Sequence, residues 1–432
     1  MLHRRHLLGS LAGLAGAPLA ALSLPALAAP ERGAHAANRF VLVVLRGGLD
    51  GLAAVPAPGD PQFEPARGVL AREAAPALPL TGPFTLHPAL AQLHAMYGQG
   101  EALVVHAAGL PYRERSHFDA QQVLESGGTR PFELDTGWLA RALASDARRG
   151  IALNTAVPLV LRGPGEIDTW APSAGPEPTG DLIARLERLY RDDRVLGPAL
   201  ARARGLRQEA DMPLGPMGRP MAGPMAAPNA PAGGEMTAAG AMAPTSGPAG
   251  GPAGAAGRPA VALARRAAEF LVRPGGPQAA VLELGGWDTH ANQAAPNGAL
   301  ANGLRTLDAS LGAIRDVLGA PEAHGAWGRT VVVVVTEFGR QVAANGTMGT
   351  DHGSGGAAFV LGGAVAGSRV LADWPGLAAR DRYEGRDLRT TTDLRAVFRS
   401  VLGDHLGVST AALDRQVFPG TTSALRLDLL RG

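Results

Sequence analysis

At 432 residues and a formal net charge of +2, the chain can bury a sizeable core, and it lacks the basic excess that nucleic-acid binding requires. It contains no cysteine, which excludes disulfides, thiolate zinc sites and cysteine nucleophiles. All 40 basic residues are arginine, which does not titrate below about pH 12 and so gives a high isoelectric point at low net charge.

Residues 1–29 read as an export signal. Arg4-Arg5 precede a run of Leu, Ala and Gly that ends in Ala26-Leu27-Ala28, a small-residue cleavage pattern. The paired arginines followed by two leucines resemble a twin-arginine signal, so the expected partner is the twin-arginine export machinery and the expected location periplasmic or extracellular. Prolines and glycines interrupt the run, and no other segment reads as a stable membrane span.

From residue 39 onward, short Val- and Leu-rich runs alternate with helical patterns. Arg39 to Leu45 reads as a buried strand that delivers Arg46-Gly47-Gly48-Leu49-Asp50-Gly51. Leu90, Leu93 and Met96 recur at helical spacing within 87–96. Ala102 to Val105 is a second strand, followed by His106 and then by Arg115-Ser116-His117-Phe118-Asp119. Ser116 is placed to cap a helix over 116–124, and further helices are expected over 138–144 and 181–194. Residues 212–259 change abruptly to Pro, Gly, Ala and Met with almost no charge, the composition of a disordered insert. The α/β pattern then resumes over 260–432. It includes a helix at 261–272 and a strand, Ala279 to Leu284, that delivers Gly286-Trp287-Asp288-Thr289-His290. A helix at 301–318 precedes the strand Val331 to Val335, which delivers Thr336-Glu337-Phe338-Gly339-Arg340. Asp351-His352-Gly353 leads into a last apolar run, Ala357 to Leu361. The pattern predicts one α/β domain made of 39–211 and 260–432, with a mostly parallel sheet. Ligands of such sheets bind beyond the carboxyl ends of the strands, so these distant clusters should meet on one edge.

The clusters carry the residue types of a divalent-metal centre. Asp50, Asp288, His290, Glu337, Asp351 and His352 mix carboxylate with imidazole, a set that suits zinc, manganese or similar ions. Two such ions about 4 Å apart would serve hydrolysis of phosphate or sulfate esters. Ser116, at a helix N-terminus, is the candidate nucleophile, although capping alone would also explain it. Arg113 and Arg115 beside it are candidate grips for a substrate anion. His106 directly follows a strand and reads as a ligand or, more readily, as a core histidine, and His405 reads as a surface one. Glu337 ends a run of five valines and needs a partner, which Arg340 offers.

In this order, the five motifs resemble an exported bacterial family of unknown function, number 1501, itself similar to the alkaline phosphatase and sulfatase superfamily. The resemblance implies a three-layer α/β/α sandwich of alkaline phosphatase type. It implies metal ligation by Asp50, Asp288, His290 and His352, and a nucleophile at Ser116. Glu337-Phe338 stands where that superfamily places an Asp-His pair, which leaves a second metal unsupported, and the formylglycine signature is missing. The expected substrate is an anionic small-molecule or glycan ester. The alternative is a non-catalytic envelope protein that kept the fold and binds a glycan or a protein partner.

Overall fold

The computed structural model describes residues 37–72, 76–172, 178–211, 257–295, 297–421 and 426–432. The export signal and nearly all of the expected insert therefore lie outside the described residues. Among the described residues, no helix is long and apolar enough to cross a membrane.

Strand β1 is Arg39–Leu45, with every residue buried. A small antiparallel pair follows, β2 (Leu78–Pro79) and β3 (Thr85–Leu86). The main sheet continues with β4 (Ala102–Gly109), β5 (Arg149–Ala152), β6 (Glu166–Thr169), β7 (Ala279–Leu284), β8 (Thr330–Thr336), β9 (Gly356–Leu361), β10 (Arg369–Leu371) and β11 (Thr392–Asp393). Its order is β10-β4-β9-β8-β1-β7-β5-β6, with β11 also on β4. β1 lies between β7 and β8, parallel to both, so strands from either side of 212–259 alternate in one sheet.

The mostly parallel sheet agrees with the sequence pattern. One strand departs from it, since β9 runs antiparallel to both β4 and β8. An apolar run records burial but not direction. The connection from β8 to β9, residues 337–355, contains no helix, whereas parallel neighbours are usually joined by a helical crossover.

The period-2 alternation of β1 feeds two separate cores. Val41, Val43 and Leu45 pack in one with the helices Ala91–Gly98, Arg258–Val272 and Ala299–Gly319. Phe40, Leu42 and Val44 pack in the other with His117–Ser126, Trp138–Ala144 and Leu394–Ser400. This is a three-layer α/β/α arrangement. Each fully buried large apolar side chain stabilises it by about 1.5–3 kcal/mol. The second core is anchored by Trp138, which stacks on Phe398 at 4.5 Å and donates its indole N–H to Leu124 O. His106 is fully buried, as expected, and stacks on Phe84. His405 is also buried, contrary to its surface reading: its Nε2 reaches Arg39 O at 2.9 Å and links the helical turn Val401–His405 to the start of β1.

Candidate metal centre

The carboxyl ends of β1, β4, β7 and β8 and the start of β9 share one edge of the sheet, which brings the five motifs together. Two loops come especially close. A Cβ on Gly47, at φ +121°, would stand 2.6 Å from Asp288 N, so only glycine allows the β1 and β7 loops to meet. Likewise a Cβ on Gly339 would overlap Gly355 O, which fixes a glycine where the β8 loop crosses the strand leading into β9.

Four side chains meet above this edge. His352 Nε2 lies 3.1 Å from His117 Nε2, 3.1 Å from His290 Nε2 and 3.1 Å from Asp288 Oδ1. His290 Nε2 is 2.9 Å from Asp288 Oδ1, and His117 Nε2 is 3.6 Å from Asp288 Oδ2. His117, Asp288 and His352 each offer a ligand atom close enough to share one metal ion, and His290 stands against two of them. All four are open to solvent in part, His290 and Asp288 by nearly half.

The far nitrogen of each imidazole faces an acceptor. His117 Nδ1 reaches Glu337 Oε1 at 2.9 Å, His290 Nδ1 reaches Asp351 Oδ1 at 3.2 Å, and His352 Nδ1 reaches Arg115 O at 3.0 Å. Those partners place the proton on Nδ1 and leave each Nε2 lone pair aimed at the others. Three lone pairs and a carboxylate at such distances repel unless a cation lies among them. Tetrahedral ligands about 2.0–2.1 Å from zinc stand about 3.3 Å apart, close to the spacing seen. The residues therefore fit a divalent metal, and the Nδ1 acceptors are the outer partners that metal-binding imidazoles use.

Electrostatics follow the same division. The hydrogen bond to Glu337 raises the His117 pKa above its ordinary value, outweighing burial. Burial, then the neighbouring His117, lowers that of His352. Burial works to raise the Asp288 pKa, but its ion pair with Arg340, at 2.6 Å, holds it below the usual carboxylate range. Glu337 is opposed by burial in the same way and is held low by His117, Gly47 N and Gln121.

Each residue expected at the centre can now be placed. Asp288, His290 and His352 come together. Asp351 and Glu337 stand one layer back, each on an imidazole Nδ1, so neither is placed as a ligand. Arg340, the partner expected for Glu337, is buried and pairs with Asp288 instead.

Asp50 departs from expectation. It is buried and its oxygens are taken: Oδ1 accepts from Leu52 N and Ala53 N, and Oδ2 from Arg67 at 2.7 Å and from Gln293. A buried carboxylate needs a cation, and here that cation is a guanidinium. Nor are the two anion grips free. Arg115 binds Asp387 at 2.9 Å and Glu384 at 2.6 Å, and Arg113 turns back on the carbonyls of Leu110 and Tyr112. Ser116 caps its helix, its Oγ 3.5 Å from Asp119 N.

Sequence reasoning missed His117, although it stood inside the quoted motif, because Ser116 beside it drew the chemistry. The available signal was Glu337: a buried carboxylate requires donors, and an imidazole is a natural one. It also missed Arg67 and Gln293, which no local pattern marks.

Fold and site together define an α/β protein with an imidazole–carboxylate centre at the carboxyl edge of its sheet. Residues 227–417 match the model of a family described as "Protein of unknown function (DUF1501)", which bears out the resemblance drawn from the motifs. The matched span holds Asp288, His290, Glu337, Asp351 and His352. No curated protein matches the chain in sequence. Among solved structures it is similar to Ps i-CgsB in complex with k-i-k-neocarrahexaose, at 10% identity and a TM-score of 0.41, covering 87% of this chain and 73% of that one. It is similar to the PsFucS1 sulfatase from Pseudoalteromonas sp., at 13% identity and a TM-score of 0.38, covering 86% and 68%. It is also similar to the phosphonate monoester hydrolase of Agrobacterium radiobacter, at 14% identity and a TM-score of 0.33, covering 86% and 74%.

Proposed function

We propose that the chain is an exported, metal-dependent hydrolase of phosphate or sulfate esters, acting on an anionic small molecule or glycan ester. One observation carries the reading: three imidazole Nε2 atoms and the Asp288 carboxylate meet within 2.9–3.6 Å at a solvent-open sheet edge. His117, Asp288, His290 and His352 would hold a single divalent cation, zinc or manganese, which when bound polarises an ester oxygen. Glu337, Asp351 and the Arg115 carbonyl keep the three imidazoles in the binding tautomer.

Ser116 is the proposed attacking group. It lies between Arg115, whose carbonyl holds His352, and His117 itself. Its oxygen accepts from Asp119 N in the cap and its hydroxyl also bonds the Tyr112 side chain, so attack requires that second bond to be given up. Export is proposed to run through Arg4 and Arg5. A fusion with both replaced by lysine should remain inside the cell, and unchanged export would reduce the segment to a general secretory signal.

The engagement of Arg113 and Arg115 favours a second reading: a non-catalytic envelope protein that keeps the metal and binds a glycan or a partner. Metal analysis of protein from its native compartment, paired with turnover of p-nitrophenyl phosphate and p-nitrophenyl sulfate, decides between the two. One equivalent of metal with chelator-sensitive turnover supports the hydrolase. Metal without turnover supports the second reading, and no metal sinks both.

A further inference from the structure

Arg115 holds a left-handed backbone conformation, φ +63°, that a non-glycine residue adopts only under constraint. Its side chain is clamped by one turn. Its guanidinium donates to Asp387 Oδ2 and Glu384 Oε2 and lies over the Tyr383 ring, 5.9 Å from the centroid. Asp387 is fully buried and also accepts from Ser354 Oγ at 3.1 Å. The turn itself is pinned to the site: Val342 N binds Arg386 O, Gly355 N binds Leu388 O, and Arg386 donates to His352 O. The clamp thus acts on the one peptide whose carbonyl receives His352 Nδ1, at 3.0 Å.

We propose that Asp387, with Glu384 and Tyr383, serves as a positioning device for the metal centre: it holds Arg115 left-handed so that the Arg115 carbonyl fixes the Nδ1–H tautomer of His352. Arg115 and Asp387 are positioning residues that act through a backbone carbonyl rather than on a substrate. The inference rests on the proposed metal-binding role of His352, but its core is the tautomer, which is present without metal.

Two substitutions at one position separate a backbone role from a charge role. Arg115→Ala and Arg115→Gly both remove the guanidinium, but only glycine adopts positive φ without cost. Histidine-labelled, metal-free protein is read by imidazole 15N–1H correlation, with His352 assigned from its loss in His352→Gln, and zinc affinity is measured by calorimetry. The wild type should show His352 protonated on Nδ1 alone. Arg115→Ala should show both tautomers and bind zinc about tenfold or more weaker, the range set by outer partners of metal ligands. Arg115→Gly should keep the Nδ1 tautomer and most of the affinity, and Asp387→Ala should behave like Arg115→Ala. A single Nδ1 tautomer in Arg115→Ala overturns the proposal, as does a glycine variant no better than alanine. Should the wild type bind no zinc, the metal reading falls, while the tautomer comparison still decides this inference.

Discussion

His117 Nδ1 and Glu337 Oε1 stand 2.9 Å apart although 220 residues separate them in the chain. β8 ends in Thr336 and places Glu337 under the edge; β4 leads to the helix that begins at His117 and sets the imidazole above it. The carboxylate also accepts from Gly47 N and Gln121, while the single Thr336 hydroxyl proton is shared between it and Leu45 O, so donors on several elements hold it in place.

Glu337→Gln should therefore weaken metal binding rather than abolish it. The amide keeps the shape but takes away the charge that raises the His117 pKa and keeps its proton on Nδ1. Calorimetry with zinc should show affinity reduced about 10–100-fold. An unchanged affinity would mean that His117 is not a ligand.

Asp50→Asn tests the reassignment of Asp50 from metal to guanidinium. The substitution leaves Arg67 charged and buried without its counter-ion, a defect that costs about 3–5 kcal/mol. Melting should show that loss, while bound metal per chain stays at the wild-type level. The opposite pattern, lost metal with little lost stability, would restore Asp50 as a ligand.

How far the sequence carried depends on how local the signal was. Strands β1, β7 and β8 were legible because strands covered on both faces read as nearly continuous apolar runs. The cap at Ser116 was legible for a similar reason, since its hydrogen bond spans three residues. Asp50 and Arg67 also lie near each other in sequence, but no local pattern marks Arg67 as buried or as the partner of Asp50. Arg115 was misjudged because its charge suggested a ligand grip, while its partners, Glu384 and Asp387, come from a turn more than 260 residues away. Charge can be read locally; whether a charge is already spoken for depends on distant chain.

Acid should destabilise the fold before it reaches the carboxylates. Burial pushes His106 down to about 4 from its ordinary 6.5, more than the Val55 carbonyl and Asp50 recover. The folded state holds this ring neutral while the unfolded chain protonates it near 6.5. Its contribution is thus fully present above pH 6.5 and is lost as pH falls toward about 4, by about 3 kcal/mol in all. His106→Gln, whose amide can still donate to Val55 O, should flatten that part of the melting-temperature profile. A wild-type profile already flat from pH 6.5 to 4.5 would contradict the assignment.

Ser116→Ala divides capping from chemistry. As a cap the hydroxyl contributes about 1 kcal/mol; as the attacking group it is indispensable. The expected outcome is that small loss of stability, unchanged metal content and no measurable ester turnover. Ser116→Asp should recover the stability but not the turnover, and a turning-over Ser116→Asp enzyme would pass the attack to solvent water.

The position of β1 between β7 and β8 also has a consequence for synthesis. β1 is among the first structured segments to leave the ribosome, yet both of its ladder partners begin only at Ala279 and Thr330. At about 5–20 residues per second, the six apolar residues Phe40 to Leu45 of β1 wait roughly 10–50 s with two unpaired edges. Such a strand invites pairing with the wrong chain. Both edges of β1 can close only after Thr336 has been synthesised, late in the chain.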